Sequence, residues 1–173
     1  MINKQTVQHL KIVDNFLESP GLWRAFALDQ EYAKDQSGYP GKKTKPLDDI
    51  NDKLFHTLAG KIIKHTNGKE GFQRLKIQFT YSTAEEFKEN NHQDEPFYNV
   101  AGVIYLNENA PLNTGTQFLD LDKQGNLIET LVIENMYNRM IIFDPKKWHA
   151  MKGSFGKDIM TGRLTITFFG IAV

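Results

Sequence analysis

Three residues of this 173-residue chain have types and a spacing suited to chemistry: His92 and Asp94 in the run NHQD, and His149 in KKWHA. Side chains on extended backbone repeat every two residues, so His-x-Asp turns an imidazole and a carboxylate to one face. A strand passing beside that segment would add His149 from 57 positions downstream. Two imidazoles and one carboxylate on one side of a metal make a facial triad, which leaves positions open at ferrous iron. There is no cysteine, so disulfides, zinc knuckles, iron–sulfur ligation and thiol catalysis are excluded, and a metal must rest on His, Asp and Glu. Taken alone, the tripeptide also fits plainer roles, and there they carry more weight. His92 fits a solvated loop beside Asn90 and Asn91, Asp94 a turn before Pro96, and His149 a core histidine next to Trp148.

A second group lies in GRLTITFFG. Arg163, Thr165, Thr167 and Phe169 share one strand face, and Leu164, Ile166, Phe168 and Gly170 share the other. A guanidinium is always charged and offers a planar fork that fits a carboxylate. If its face lines an interior, Arg163 needs an anion; if the face is exposed, an ordinary ion pair suffices.

The elements that must position these residues change in character along the chain. Apolar residues at helical spacing predict a helix within 16–34, with Pro20 in its first turn, and a second over about Asp48–Thr66 capped by Asp48 or Asp49. Trp23, Phe26 and Phe55 are expected in the core. Between the helices lies the loop Asp35–Pro46, whose Lys42, Lys43 and Lys45 read as a solvated run or, functionally, as a lid or a contact for an acidic partner. From Phe72 the period becomes two. Strands are expected over 74–81, Tyr98–Leu106, Thr116–Leu121, Leu127–Ile133, Arg139–Phe143 and Arg163–Ile171, with Gly, Asn, Asp and Pro between them, which argues for an antiparallel sandwich or barrel. Lys plus Arg and Asp plus Glu number 21 each, so no basic bias marks a dedicated nucleic-acid binder. No apolar run reaches the roughly 18 residues of a membrane span. His56 and His65, on the second helix, are expected partly exposed at the surface, and His9, near the N-terminus, has no partner in the sequence.

From about Gln78 to Gly170 the order NHQD, VAGVIYLNENAP, GTQFL, NRMIIFDPKKWHA, GRLTITFFG resembles the Fe(II)- and 2-oxoglutarate-dependent dioxygenases, within them the prolyl 4-hydroxylase-like group. The resemblance implies a mainly β chain with N-terminal helices. Its double-stranded β-helix (jelly-roll) core would be backed by two or three α-helices in a single domain over 1–173, with 1–70 as support and 71–173 as core. It implies iron on His92, Asp94 and His149. Arg163 would grip the distal carboxylate of 2-oxoglutarate, helped by Tyr105 and Thr167, with Tyr81 approaching from the other side. Tyr81 shares its strand face with Leu75, Ile77 and Phe79, which argues strongly for a core role, and Tyr105 could line a barrel without a ligand. Two departures stand out. Arg163 follows His149 by 14 residues, a wider gap than usual that leaves Lys152 as another anchor, and the family's glycine pair is reduced to Gly115. The implied function is hydroxylation of a peptidyl residue, with dioxygen and 2-oxoglutarate consumed and succinate and CO2 released. The primary substrate would be a protein, a peptide or a small molecule, walled by the loops Asp35–Pro46 and Asn107–Gly115. The competing reading is a non-catalytic, cupin-like metal-binding or sensing module, which has no need of Arg163. A polar N-terminus and the want of cysteine suit a cytoplasmic setting, with no membrane.

Overall fold

The structure, a computed structural model, describes residues 10–34, 36 and 38–173; His9 and Asp35 lie outside them. The described strands are β1 (Lys11–Val13), β2 (Ala33–Lys34), β3 (Lys42–Lys43), β4 (Phe72–Ser82), β5 (Val100–Tyr105), β6 (Thr116–Leu121), β7 (Leu127–Ile133), β8 (Met140–Phe143), β9 (Trp148–Met151) and β10 (Arg163–Ala172). All pairings are antiparallel. They form a seven-stranded sheet in the order β1-β8-β5-β10-β4-β3-β2 and a three-stranded sheet in the order β7-β6-β9.

Period-two alternation divides the large sheet between two cores. Ile77 and Phe79 of β4, Ile104 of β5 and Leu164, Ile166 and Phe168 of β10 pack on one face against the helices. Ala101 and Tyr105 of β5 and Ile141 and Phe143 of β8 point the other way and meet Phe118 and Ile133 of the small sheet, with Phe169 alongside. The second cluster is the barrel interior, and Arg163 lies on that face of β10.

The helices are α1 (Pro20–Leu28), α2 (Leu47–Ile50) and α3 (Asp52–Ile62), followed by a 3₁₀ turn at Ile63–His65. Pro20 does open α1. Trp23 and Phe26 pack against Phe79, ring centroids 6.5 and 5.8 Å away. The continuous helix expected from Asp48 is broken at Asn51. That residue is extended (φ −157°), and its side chain accepts the Leu54 N–H at 3.0 Å, capping α3 in place of Asp48 or Asp49. Lys42 and Lys43 are not a solvated run: they pair as β3 with Tyr81 and Thr80 of β4. Among the described residues no helix is long and apolar enough to cross a membrane.

One buried side chain ties the N-terminal segment to the barrel. Asn138, in the left-handed region at φ 60°, accepts the Leu17 N–H at 2.7 Å and donates to the Leu17 carbonyl at 2.9 Å. Removing the amide strands both Leu17 groups, and a β-carbon without it gains nothing from that φ. Asn138→Ala should therefore cost about 2–4 kcal/mol in urea unfolding, more than Asn138→Gly, which keeps the φ.

Candidate metal centre

His92 and His149 face each other across an isolated antiparallel bridge and exchange both main-chain hydrogen bonds, 3.0 Å from His92 N and 2.9 Å from His149 N. The segment carrying His92 thus extends the small sheet beyond β9. Asp94 N donates to the Pro145 carbonyl at 2.8 Å, which holds the carboxylate two residues on along the same face. The two imidazole centroids are 4.5 Å apart, and one ligand atom from each of His92, Asp94 and His149 lies within 4.8 Å of the others. His92 Nε2 is 3.6 Å from Asp94 Oδ1, and His149 Nε2 is 3.4 Å from Asp94 Oδ2.

Each ring is set by its other nitrogen. His92 Nδ1 lies 2.7 Å from the Asn90 carbonyl and His149 Nδ1 2.8 Å from the Lys147 carbonyl. A carbonyl can only accept, so Nδ1 carries the proton and Nε2 presents its lone pair inward, the tautomer a metal needs. Phe143 packs on His149 at 4.6 Å between centroids. The side chains of His149 and Asp94 are 7% and 9% exposed, while that of His92 is 41% exposed, so the site opens on the His92 side.

The electrostatics also favour a cation. Burial pushes the Asp94 carboxyl up to about 7, with Lys43 pulling it down and Glu95 adding to the rise. Burial, then His92, presses the His149 imidazole down to about 4, which keeps it neutral. Asp94 Oδ2 is buried without a hydrogen-bond partner. The neutral His149 imidazole and an orphaned buried carboxylate oxygen fit a divalent metal, which would supply the missing partner.

The closed end of the barrel holds the second group. Arg163 is 3% exposed. Its Nε donates to the Thr114 carbonyl at 2.8 Å and one Nη to the Gly115 carbonyl at 3.2 Å. Its guanidinium carbon is 5.7 Å from the Tyr105 ring centre. Among the described residues no carboxylate pairs with it. Tyr105 is fully buried, its phenol bonded to the Thr116 hydroxyl at 2.8 Å, and burial pushes its pKa up. Thr165 lies beside Tyr105 in register and bonds Thr80 at 2.7 Å; Thr167, two residues on, lies opposite Val103.

Tyr81 does not join them. Its register partner is Leu164, on the helix-facing side of the sheet, where it packs edge-on against Tyr32 at 5.0 Å and its hydroxyl takes a hydrogen bond from Lys42 at 3.0 Å. A one-residue offset on a pleated strand reverses the face, so Thr80 and Ser82 hold the inward positions. Lys152 pairs with Glu129 on the small sheet. The wide gap between His149 and Arg163 is a loop strapped to β4 by Ser154, whose hydroxyl donates to the Ser82 carbonyl at 2.9 Å. Of the two loops expected to wall the substrate, 36–46 reaches the His92 segment, where Asn90 Nδ2 donates to the Gly38 carbonyl at 3.4 Å. The Asn107–Gly115 loop anchors Arg163 instead. Sequence reasoning named Lys43 only as one of a lysine run, solvated or forming a lid, and gave it no face. Its pairing with Thr80 turns it to the barrel side, a placement readable only once the β3–β4 register is known.

The sequence pattern of a protein family described as "Family of unknown function (DUF6445)" matches residues 2–132, a span that includes His92 and Asp94 and ends before His149. No curated protein matches the chain. Solved structures do. A prolyl hydroxylase from Trichoplax adhaerens, in complex with a hypoxia inducible factor oxygen degradation domain peptide fragment, has a TM-score of 0.70 at 15% identity, over 99% of this chain and 87% of that one. A Pseudomonas putida prolyl-4-hydroxylase has a TM-score of 0.59 at 15% identity, over 99% and 97%. HygX from Streptomyces hygroscopicus, with nickel and 2-oxoglutarate bound, has a TM-score of 0.64 at 10% identity, over 99% and 88%. The likeness is one of fold: this mainly β chain folds as the 2-oxoglutarate- and Fe(II)-dependent oxygenases do.

The raised Asp94 pKa sets a test of the metal-free protein. A buried carboxyl whose folded pKa exceeds its unfolded one loses stability as pH rises from about 4 towards 7. Asp94→Asn should abolish Co(II) binding measured by visible absorption. It should also raise the melting temperature of the metal-free protein, by more at pH 8 than at pH 5.

Proposed function

The chain belongs to the DUF6445 family, and we propose that it is an Fe(II)- and 2-oxoglutarate-dependent dioxygenase that hydroxylates a peptidyl residue, as its prolyl hydroxylase neighbours suggest, with release of succinate and CO2. The observation that carries this reading is the His92–Asp94–His149 cluster at the open end of a barrel whose closed end holds a buried arginine with no acidic partner among the described residues. A bare metal-binding module has no use for that arginine. We read the two sheets as a double-stranded β-helix over 71–173 supported by 1–70, a single catalytic domain, and the want of cysteine suits a cytoplasmic setting.

In this reading His92, Asp94 and His149 hold Fe(II). Held there with 2-oxoglutarate, Fe(II) would supply the oxidative chemistry of a reaction that consumes 2-oxoglutarate and O2 and releases succinate, CO2 and a hydroxylated substrate. The chain's own residues do the rest. The Asn90 and Lys147 carbonyls fix the ring orientations, so little reorganisation accompanies binding. Arg163 keeps N–H groups beyond those given to Thr114 and Gly115, and these pair with the distal carboxylate of 2-oxoglutarate. Tyr105 and Thr167 donate beside it. Phe118 and Phe143 cover the His149 side and keep water from it, which leaves the exposed edge of His92 as the way in for the primary substrate. That substrate is a peptide or a small molecule.

Two measurements test this. Anaerobic Fe(II) protein should develop a visible metal-to-ligand charge-transfer band on addition of 2-oxoglutarate; a colourless titration would favour the binding module. His149→Ala should stop substrate-dependent succinate formation with the circular dichroism spectrum retained. Succinate output equal to that of wild type would remove His149 from the iron site.

A further inference from the structure

Among the described residues, three buried side chains carry polar atoms without a partner: Tyr39, Asp94 and Asn135. Asp94 belongs to the metal centre. In Asn135 both amide atoms, Oδ1 and Nδ2, are orphaned, and the residue is 6% exposed. A buried amide gives up its water for partners, so one with none points to a partner that arrives.

Its position says which. Asn135 follows β7, whose Leu131 and Ile133 turn into the barrel with Tyr105 and Phe118. The Glu134 carboxylate takes the Asn113 N–H at 2.9 Å, and the next residue, Asn135, is buried directly beyond the strand end. The backbone there lies against the Arg163 anchor. A Cβ on Gly115 would sit 1.8 Å from the Ile133 carbonyl oxygen and 2.8 Å from Asn135 N, and the Gly115 carbonyl is one of the two that Arg163 holds. Ile133 is paired with Thr116, whose hydroxyl holds that of Tyr105. The chain then doubles back along Tyr105, with Asn138 N donating to its carbonyl at 2.9 Å. Asn135 therefore stands where the strands bearing Arg163, Tyr105 and Thr116 converge.

We propose that Asn135 is a further binding residue for 2-oxoglutarate, its Nδ2 donating to the distal carboxylate beside Arg163. The inference rests on the dioxygenase reading and adds to it a donor that the Arg163 strand does not supply. A carboxylate has about four lone-pair positions, more than one guanidinium already tied to two carbonyls fills. A neutral amide adds a hydrogen bond at the closed end without adding a second buried cation.

The test removes the interaction from both sides. Anaerobic Fe(II) protein is titrated with 2-oxoglutarate and with 2-oxobutanoate, which has the same chelating head and no distal carboxylate, following the charge-transfer band. Asn135→Ala should weaken 2-oxoglutarate binding on the order of tenfold and leave 2-oxobutanoate unchanged. Asn135→Leu, which keeps the volume, should show the same split. Fe(II) affinity and melting temperature report on folding in each variant. Unchanged 2-oxoglutarate affinity, or an equal loss for both acids, overturns the assignment while leaving the dioxygenase reading standing. A wild-type protein that gives no band with either acid overturns that reading and this one with it.

Discussion

His92 and His149 exchange both of their main-chain hydrogen bonds, and the barrel mouth is organised around that exchange. Opposed residues in an antiparallel pair turn their side chains to the same side, so the bridge alone places two imidazoles together from distant parts of the sequence. The period of two then delivers Asp94, and the neighbouring carbonyls set the tautomers. None of this needs a metal in order to form. Elements that are stable for ordinary reasons preorganise the site.

The interior has a polarity to match. One end presents a carboxylate that burial makes costly to ionise, and the other a guanidinium that cannot lose its charge. A cation relieves the first and an anion the second. The aromatic wall of Phe118, Phe143 and Tyr105 between them strengthens both demands by keeping water out. A ligand that chelates a metal with one end and offers a carboxylate at the other meets both needs at once, and it is the pairing of demands that gives the site its specificity.

Much of this was legible in the sequence because it rests on period-two alternation. The faces of β10, the strands β4 to β8 and the shared face of Arg163, Thr165 and Thr167 follow from pattern alone. Tyr81 shows the limit. Its alternation with Ile77 and Phe79 already offered it a core role beside them, while the family motif drew it towards the co-substrate, one residue out of phase with Thr80 and Ser82. Asn51 broke the second helix through a capping hydrogen bond that competes locally with helical backbone, a tie that apolar spacing does not register. Trp148–Met151 forms a four-residue strand because its neighbours pair with it, and β1, β2 and β3 are shorter still. Asn135 was invisible, and Lys43 was seen only as one of a lysine run, for a different reason. Their interest lies in which face a register or a loop path assigns them, and no local signal carries that.

The two carbonyls held by Arg163 make this side chain a fastening between β10 and the approach to β6 as well as a charge within the barrel. The location of the positive charge and the pitch of the Asn107–Gly115 loop therefore cannot drift independently. A descendant of this chain that moved its cation to another strand would have to find a new way to close that loop. One that kept the loop would keep the arginine even after losing the reaction. Retention of Arg163 across a lineage would accordingly report on architecture as much as on activity, whereas the carboxylate of Asp94, which fastens nothing, would be free to go.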